Sequence, residues 1–198
     1  YDGGGGFGEV GNTSYETDGY FVKLGWKPSE QHLLELAFQR FDRDDVHNYI
    51  QSRTNAGGIA TLLDPNQERD LAKLTYEGRD LEGWLSSANG YLYAQQFDAL
   101  GFRTTETAVR FDRRETTEDE SIYGLGFQGT SPIRLGREHE LVWGTDYRYE
   151  KLANSVRIRR TTKATGAVTV FQPQGTTPDG LYEVWDGFVH FKVLLRDN

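Results

Sequence analysis

The chain has 198 residues with no Cys, no Met and a formal net charge of −8 at a sequence pI near 5.0. That excludes a disulfide framework, a Cys-based metal site and the clustered basic surface of a nucleic-acid binder. Only 36% of residues are hydrophobic while 13% are aromatic, with mean hydropathy −0.67, and no run reaches the roughly 18 apolar residues of a spanning helix, so a membrane reading would rest on alternating strands.

Residues 1–14 are a Gly-rich stretch read as the end of a loop; it is no phosphate cradle, because no Gly-Lys-Ser/Thr follows. The first strand is expected at 15–26, where Tyr20, Val22, Leu24 and Trp26 alternate with Phe21, Lys23 and Gly25. Lys27-Pro28-Ser29-Glu30 is a short turn, since Pro28 cannot donate to a ladder. A second strand at 31–43 sets Leu34, Leu36 and Phe38 against Glu35, Ala37 and Gln39. Residues 44–66 carry no pattern and read as a long loop. The third strand, 68–77, places Ala72, Leu74 and Tyr76 opposite Leu71, Lys73 and Thr75; a helix starting at Asp64-Pro65 is the competing reading.

A turn at 78–81 leads to strand four at 84–97, with Trp84, Tyr91, Tyr93 and Phe97, and then a second loop at 98–113. Strand five, 114–129, alternates Tyr123, Leu125 and Phe127 with Ile122, Gly124, Gly126 and Gln128, and a turn with Pro132 and Gly136 follows. Strand six, 138–151, has Leu141, Trp143, Tyr147 and Tyr149 on one face and Gly144, Asp146, Arg148 and Glu150 on the other. After a third long loop, 152–179, strand seven at 180–195 alternates Trp185, Val189, Phe191 and Val193 with Asp186, His190 and Lys192.

These elements predict an all-β chain: an antiparallel up-and-down meander of about seven strands, forming part of a transmembrane β-barrel. Short turns on one rim and long loops on the other fit that architecture. Segments of ten residues or more exceed the 5–6 of an ordinary sandwich strand and match the roughly 9–11 needed to cross a bilayer at a tilt. Charged Asp146, Arg148, Glu150, His190 and Lys192 suit a wet lumen better than a dry core. Trp26, Trp84, Tyr147 and Tyr149 would then lie in interfacial girdles.

Three stretches carry a family likeness: Lys27 to Asp45 (KPSEQHLLELAFQRFDRDD), Tyr123 to Pro132 (YGLGFQGTSP) and Leu141 to Glu150 (LVWGTDYRYE), with Tyr182 to Leu195 as a further barrel-like strand. In these the chain resembles TonB-dependent outer-membrane receptors of the ferric-siderophore and haem type. The resemblance implies a barrel of about 22 strands with a plugged lumen, set in the outer membrane of a Gram-negative bacterium and contacting its lipid. It also implies uptake of an iron-siderophore or haem and coupling to the TonB complex through a plug region. Residues 1–198 would be a partial barrel domain with no plug and no closing strand; the absent Met and the start at Tyr1 point the same way.

No catalytic arrangement such as Ser-His-Asp or HExxH stands out, so no enzyme and no cofactor are expected. Ligand contact is expected from loop donors and acceptors, namely His47, Tyr49, Arg53 and Asn55, and from a second cluster, Arg110, Arg113 and Arg114, which suit an anionic iron complex or haem propionates. The second cluster suits the solvated part of a strand above the membrane better than a ligand clamp. His32, His47, His139 and His190 lack metal-ligand spacing, and the acidic runs Asp44-Asp45 and Glu118-Asp119-Glu120 lack a twelve-residue calcium loop. The alternatives are a soluble all-β ligand- or carbohydrate-binding module and an outer-membrane porin independent of TonB.

Overall fold

A computed structural model describes residues 15–47, 53–55, 58–134, 138–173 and 179–193, and for 53–55, 58–60 and 138 the backbone and its pairing. The described residues form nine strands and no helix: β1 (Glu16–Ser29), β2 (His32–His47), β3 (Arg53–Asn55), β4 (Gly58–Arg79), β5 (Ser87–Glu106), β6 (Arg110–Arg134), β7 (Glu138–Thr162), β8 (Val168–Phe171) and β9 (Gly180–Val193). All pairings are antiparallel and follow chain order. β3 pairs with β4 beyond the end of β2, and β8 and β9 both pair with β7, at its upper and lower parts. The nine strands therefore occupy seven lanes, the seven expected. The sheet is open: β1 and the β8/β9 lane are its two edges.

The expected long loops are largely strand. β2 continues to His47 and β4 begins at Gly58, so much of 44–66 is laddered, through an irregularity at Asp64-Pro65 rather than a helix. β5 and β6 take up nearly all of 98–113, leaving a turn at 107–109 in which Thr107 N–H donates to the Arg110 carbonyl at 2.9 Å and Thr107 Oγ1 accepts from Arg110 N–H at 3.1 Å. β7 runs on to Thr162 and turns through Gly166, whose φ of 69° favours glycine. Hydropathy alternation detects a difference between two faces. Where water bathes both faces the difference vanishes, yet the backbone ladder and the Thr- and Arg-rich strand chemistry continue.

The connections on the other rim shift too. Residues 80–86 are non-strand, so Trp84 precedes its expected strand, and Pro132 lies within β6, opposite Glu140. Asp80 takes a left-handed φ of 49° at the start of that turn, a conformation Asp tolerates.

Candidate functional site

Directly paired residues of an antiparallel ladder point to the same side, so the register assigns every side chain to one of two faces. On one face a single rung reads Leu24, Leu36, Leu74, Leu92, Leu125, Tyr147 and Trp185 across all seven lanes. The rung toward the upper rim is Val22, Phe38, Ala72, Ala94, Tyr123, Tyr149 and, in the β9 lane, Glu183, which accepts from the Tyr147 hydroxyl at 3.0 Å; the one below is Trp26, Leu34, Tyr76, Gly90, Phe127, Thr145 and Gly187. None of the described residues covers this face: Leu24 is 63% exposed, Leu92 56% and Trp185 64%. Among the described residues only Ala88, Ile122 and Val156 are buried apolar side chains, which is no dry core for a chain this long.

The apolar band has defined limits. From Tyr149 to His139 on β7 it spans ten residue steps, about 33 Å along the strand and roughly 23 Å in height at a 45° tilt. At its lower end Trp84 stacks on Trp143 (centroids 5.9 Å apart), whose Nε1–H donates to Ser131 Oγ at 3.2 Å. At its upper end chemistry reverses within one rung. Asp18, Asp42, Glu68, Asp98 and Asp119 align across five lanes. Arg40, one rung below, binds Asp42 at 2.9 Å, Glu68 at 3.0 Å and Asp70 at 3.4 Å. Burial pushes the Asp98 carboxyl above its ordinary range, and the neighbouring Asp119 and Glu68 charges add to it.

The opposite face is polar and holds the cavities. Lys23 pairs with Glu35 at 2.7 Å, Arg148 with Glu150 at 2.6 Å and Lys192 with Glu140 at 2.9 Å; Lys73 Nζ lies 5.3 Å from the Tyr91 ring centre. The Tyr91 hydroxyl donates to Asp146. Tyr91 and Tyr93 lie flat over Gly126 and Gly124, their direct cross-strand partners, in space a side chain there would occupy; the rings cover backbone that glycine leaves bare. Cavities of about 300 and 460 Å³ open here, sharing Tyr91 and Asp146.

Above the band the β5–β6 hairpin extends a further ten residues from the Gln96–Ser121 rung to the Glu106–Phe111 rung, roughly 33 Å of strand. The described members of the two nominated clusters lie on strands of this upper region. His47 is the last residue of β2, paired with Leu63, not a loop residue. Arg53 and Asn55 belong to the β3 ladder, paired with Ala60 and Gly58; their side chains, and Tyr49 altogether, lie outside the described residues.

Arg110, Arg113 and Arg114 are on strand β6 and divide between the faces. Arg110 and Arg114 share the polar face, where Arg110 Nε lies 3.3 Å from Asp112; Arg113 is on the other, its guanidinium 4.2 Å from the Phe102 ring centre. Asp112 also accepts two bonds from Arg160, at 2.8 and 3.0 Å, which hold its carboxyl below the usual range. The residue missed by the loop reading is Arg103, which faces Arg114 directly. A hairpin closing at 107–109 would have paired them, but the signal is lost once 98–113 is taken as irregular. No group of three or more His, Asp or Glu side chains suited to a metal occurs among the described residues.

No protein-family model matches this chain, and comparison with curated proteins gives no match.

Proposed function

We propose that this chain forms part of the wall of an outer-membrane β-barrel, with the leucine-centred face toward lipid and the charged face toward an aqueous lumen. One observation carries the reading: an apolar band in register whose leucine rung crosses all seven lanes, covered by none of the described residues and opposed by charged and polar side chains on the other face. Its height approaches the roughly 25 Å apolar band of such barrels. In water a face of this kind would demand a second sheet or a partner. The open β1 and β9 edges are where further wall strands would pair. Six antiparallel steps separate these edges, so they run in the same direction, and an all-antiparallel closure adds an odd number of lanes.

Within that class the reading we favour is a TonB-dependent receptor for an iron-siderophore or haem. It is supported by the sequence likeness of residues 27–45, 123–132 and 141–150, and by the tall hairpins that would stand above the membrane as a ligand vestibule. The wall would position and admit the cargo; no bond-making step is assigned to it.

The test of the membrane class is depth-dependent quenching of tryptophan fluorescence after refolding into phosphatidylcholine vesicles with brominated acyl chains. Trp26, Trp84, Trp143 and Trp185 all lie on or beside the apolar face, so strong quenching is expected. An unquenched, water-soluble monomer would instead favour a soluble binding module. The receptor assignment is tested by uptake of radiolabelled ferric siderophore or haem in cells with and without the gene. Uptake that needs the gene and stops when the proton-motive force is collapsed supports it; diffusion of small solutes with no energy dependence points to a porin.

A further inference from the structure

We infer that the polar face of the β4–β5–β6 extension holds a binding site for a small anion that also carries hydroxyl or ammonium donors, clamped by Arg103 and Arg114. The inference rests on the proposed reading only in taking this face as the wet one. Its basis is the largest of the cavities described, about 500 Å³, whose lining includes Arg103, Arg114, Gly101, Thr116, Asp64 and Glu118.

The upper end of the cavity is cationic. Arg103 and Arg114 are direct cross-strand partners, which sets their Cβ atoms about 5 Å apart, a like-charge placement that costs stability unless something neutralises it. Neither guanidinium has a carboxylate within ion-pairing reach among the described residues; Asp112, one rung further up, is already engaged by Arg160 and Arg110. Two guanidinium forks converging from adjacent strands match a phosphate or carboxylate better than one another.

The floor and lower end are built differently. Gly101 and Thr116 form the next rung down and Ala99 faces Glu118 in the one after, so small side chains leave the backbone open below the arginines. Asp64 leans toward Gly101, its Oδ1 2.9 Å from where a Cβ there would sit. Burial raises its carboxyl above the ordinary range, so its surroundings already disfavour an uncompensated charge. Asp64 and Glu118 thus offer acceptors one and two rungs below the clamp, roughly 7 and 13 Å along the strands. A simple inorganic anion would satisfy only the upper end. A ligand with an anionic group at one end and donors at the other satisfies both, and Phe97 and Leu62 supply apolar walls.

The experiment is calorimetric titration of the refolded full chain, in detergent micelles and in aqueous buffer, with glucosamine 6-phosphate, inorganic phosphate and glucose as probes. Glucosamine 6-phosphate should bind most tightly, phosphate more weakly and glucose not measurably. Arg103→Gln and Arg114→Gln should each weaken the first probe about tenfold or more, as expected for a charged hydrogen bond. Arg103→Lys, which keeps the charge, should recover part of the loss. Arg159→Gln, on the other face of the same hairpin region, should change binding less than twofold. Failure of the wild type to prefer glucosamine 6-phosphate over phosphate and glucose overturns the site, as does an equal loss in Arg159→Gln. A chain that binds as expected yet never enters micelles keeps the site and sinks the membrane reading; one that enters micelles without discriminating does the reverse.

Discussion

Replacing Leu92 with Arg separates the two environments this face can have. Leu92 lies in the middle strand of the sheet and in the rung that is apolar across all seven lanes, one rung or roughly 5 Å in height below the band's upper limit, and it is 56% exposed. If that exposure is to hydrocarbon, an arginine at this depth, between the interface and the midplane, costs about 1–2 kcal/mol, a fall of roughly 5- to 30-fold in the folded-to-unfolded ratio. If it is to water, the same change removes an exposed apolar side chain and should stay within about 0.5 kcal/mol. Gln95→Arg is the internal control, because Gln95 lies three residues along the same strand on the polar face, which already accommodates Lys73 and Arg148. The assay is urea unfolding of chain refolded in phosphatidylcholine vesicles, followed by tryptophan fluorescence. We expect Leu92→Arg to be lower in stability than Gln95→Arg by about 1–2 kcal/mol. Equal stabilities, or a Leu92→Arg chain that becomes more soluble and equally cooperative in buffer, would refute the lipid-facing assignment.

The glycine–tyrosine pairs predict a steric coupling: Gly124→Val drives a side chain into the Tyr93 ring, at a cost of about 1–3 kcal/mol that should shrink in a Tyr93→Ala background, read by a double-mutant cycle. Arg160 holds the Asp112 carboxyl low, so its contribution is complete above the ordinary carboxylate pKa of about 4 and is lost as pH falls through the lower folded value. The stability gap between wild type and Arg160→Gln should therefore narrow between pH 7 and pH 2.5, and an unchanged gap would refute the pairing. Asp98 has the opposite sign, its charged form disfavoured by burial, so Asp98→Asn should stabilise at pH 7 and lose that advantage in acid. Arg40→Gln leaves Asp42, Glu68 and Asp70 without their shared cation and should destabilise more at pH 7 than at pH 4, with relief by added salt, measured by denaturant titration.

The band and its two faces were legible in the sequence because each central strand contrasts its sides at every second residue, as Leu34, Leu36 and Phe38 do against Glu35, Ala37 and Gln39. The seven-lane meander follows from that rhythm and from turn chemistry such as Lys27-Pro28-Ser29-Glu30. Where the contrast fades, the pattern is silent: FRTTE and RFDRR, on either side of the turn at 107–109, are as much strand as the leucine-bearing segments, yet both of their faces carry polar side chains and no period survives. Composition and alternation alone determined that this chain is antiparallel β with one apolar side. Only the tertiary register decided which residues meet. It put five leucines on one rung, brought Arg113 over the Phe102 ring, and set Arg103 against Arg114 across a turn of three residues. The physical reason is that side-chain period is a local property of one strand, whereas partnership depends on where a hairpin closes, and a shift of one residue there would send every side chain to the other face.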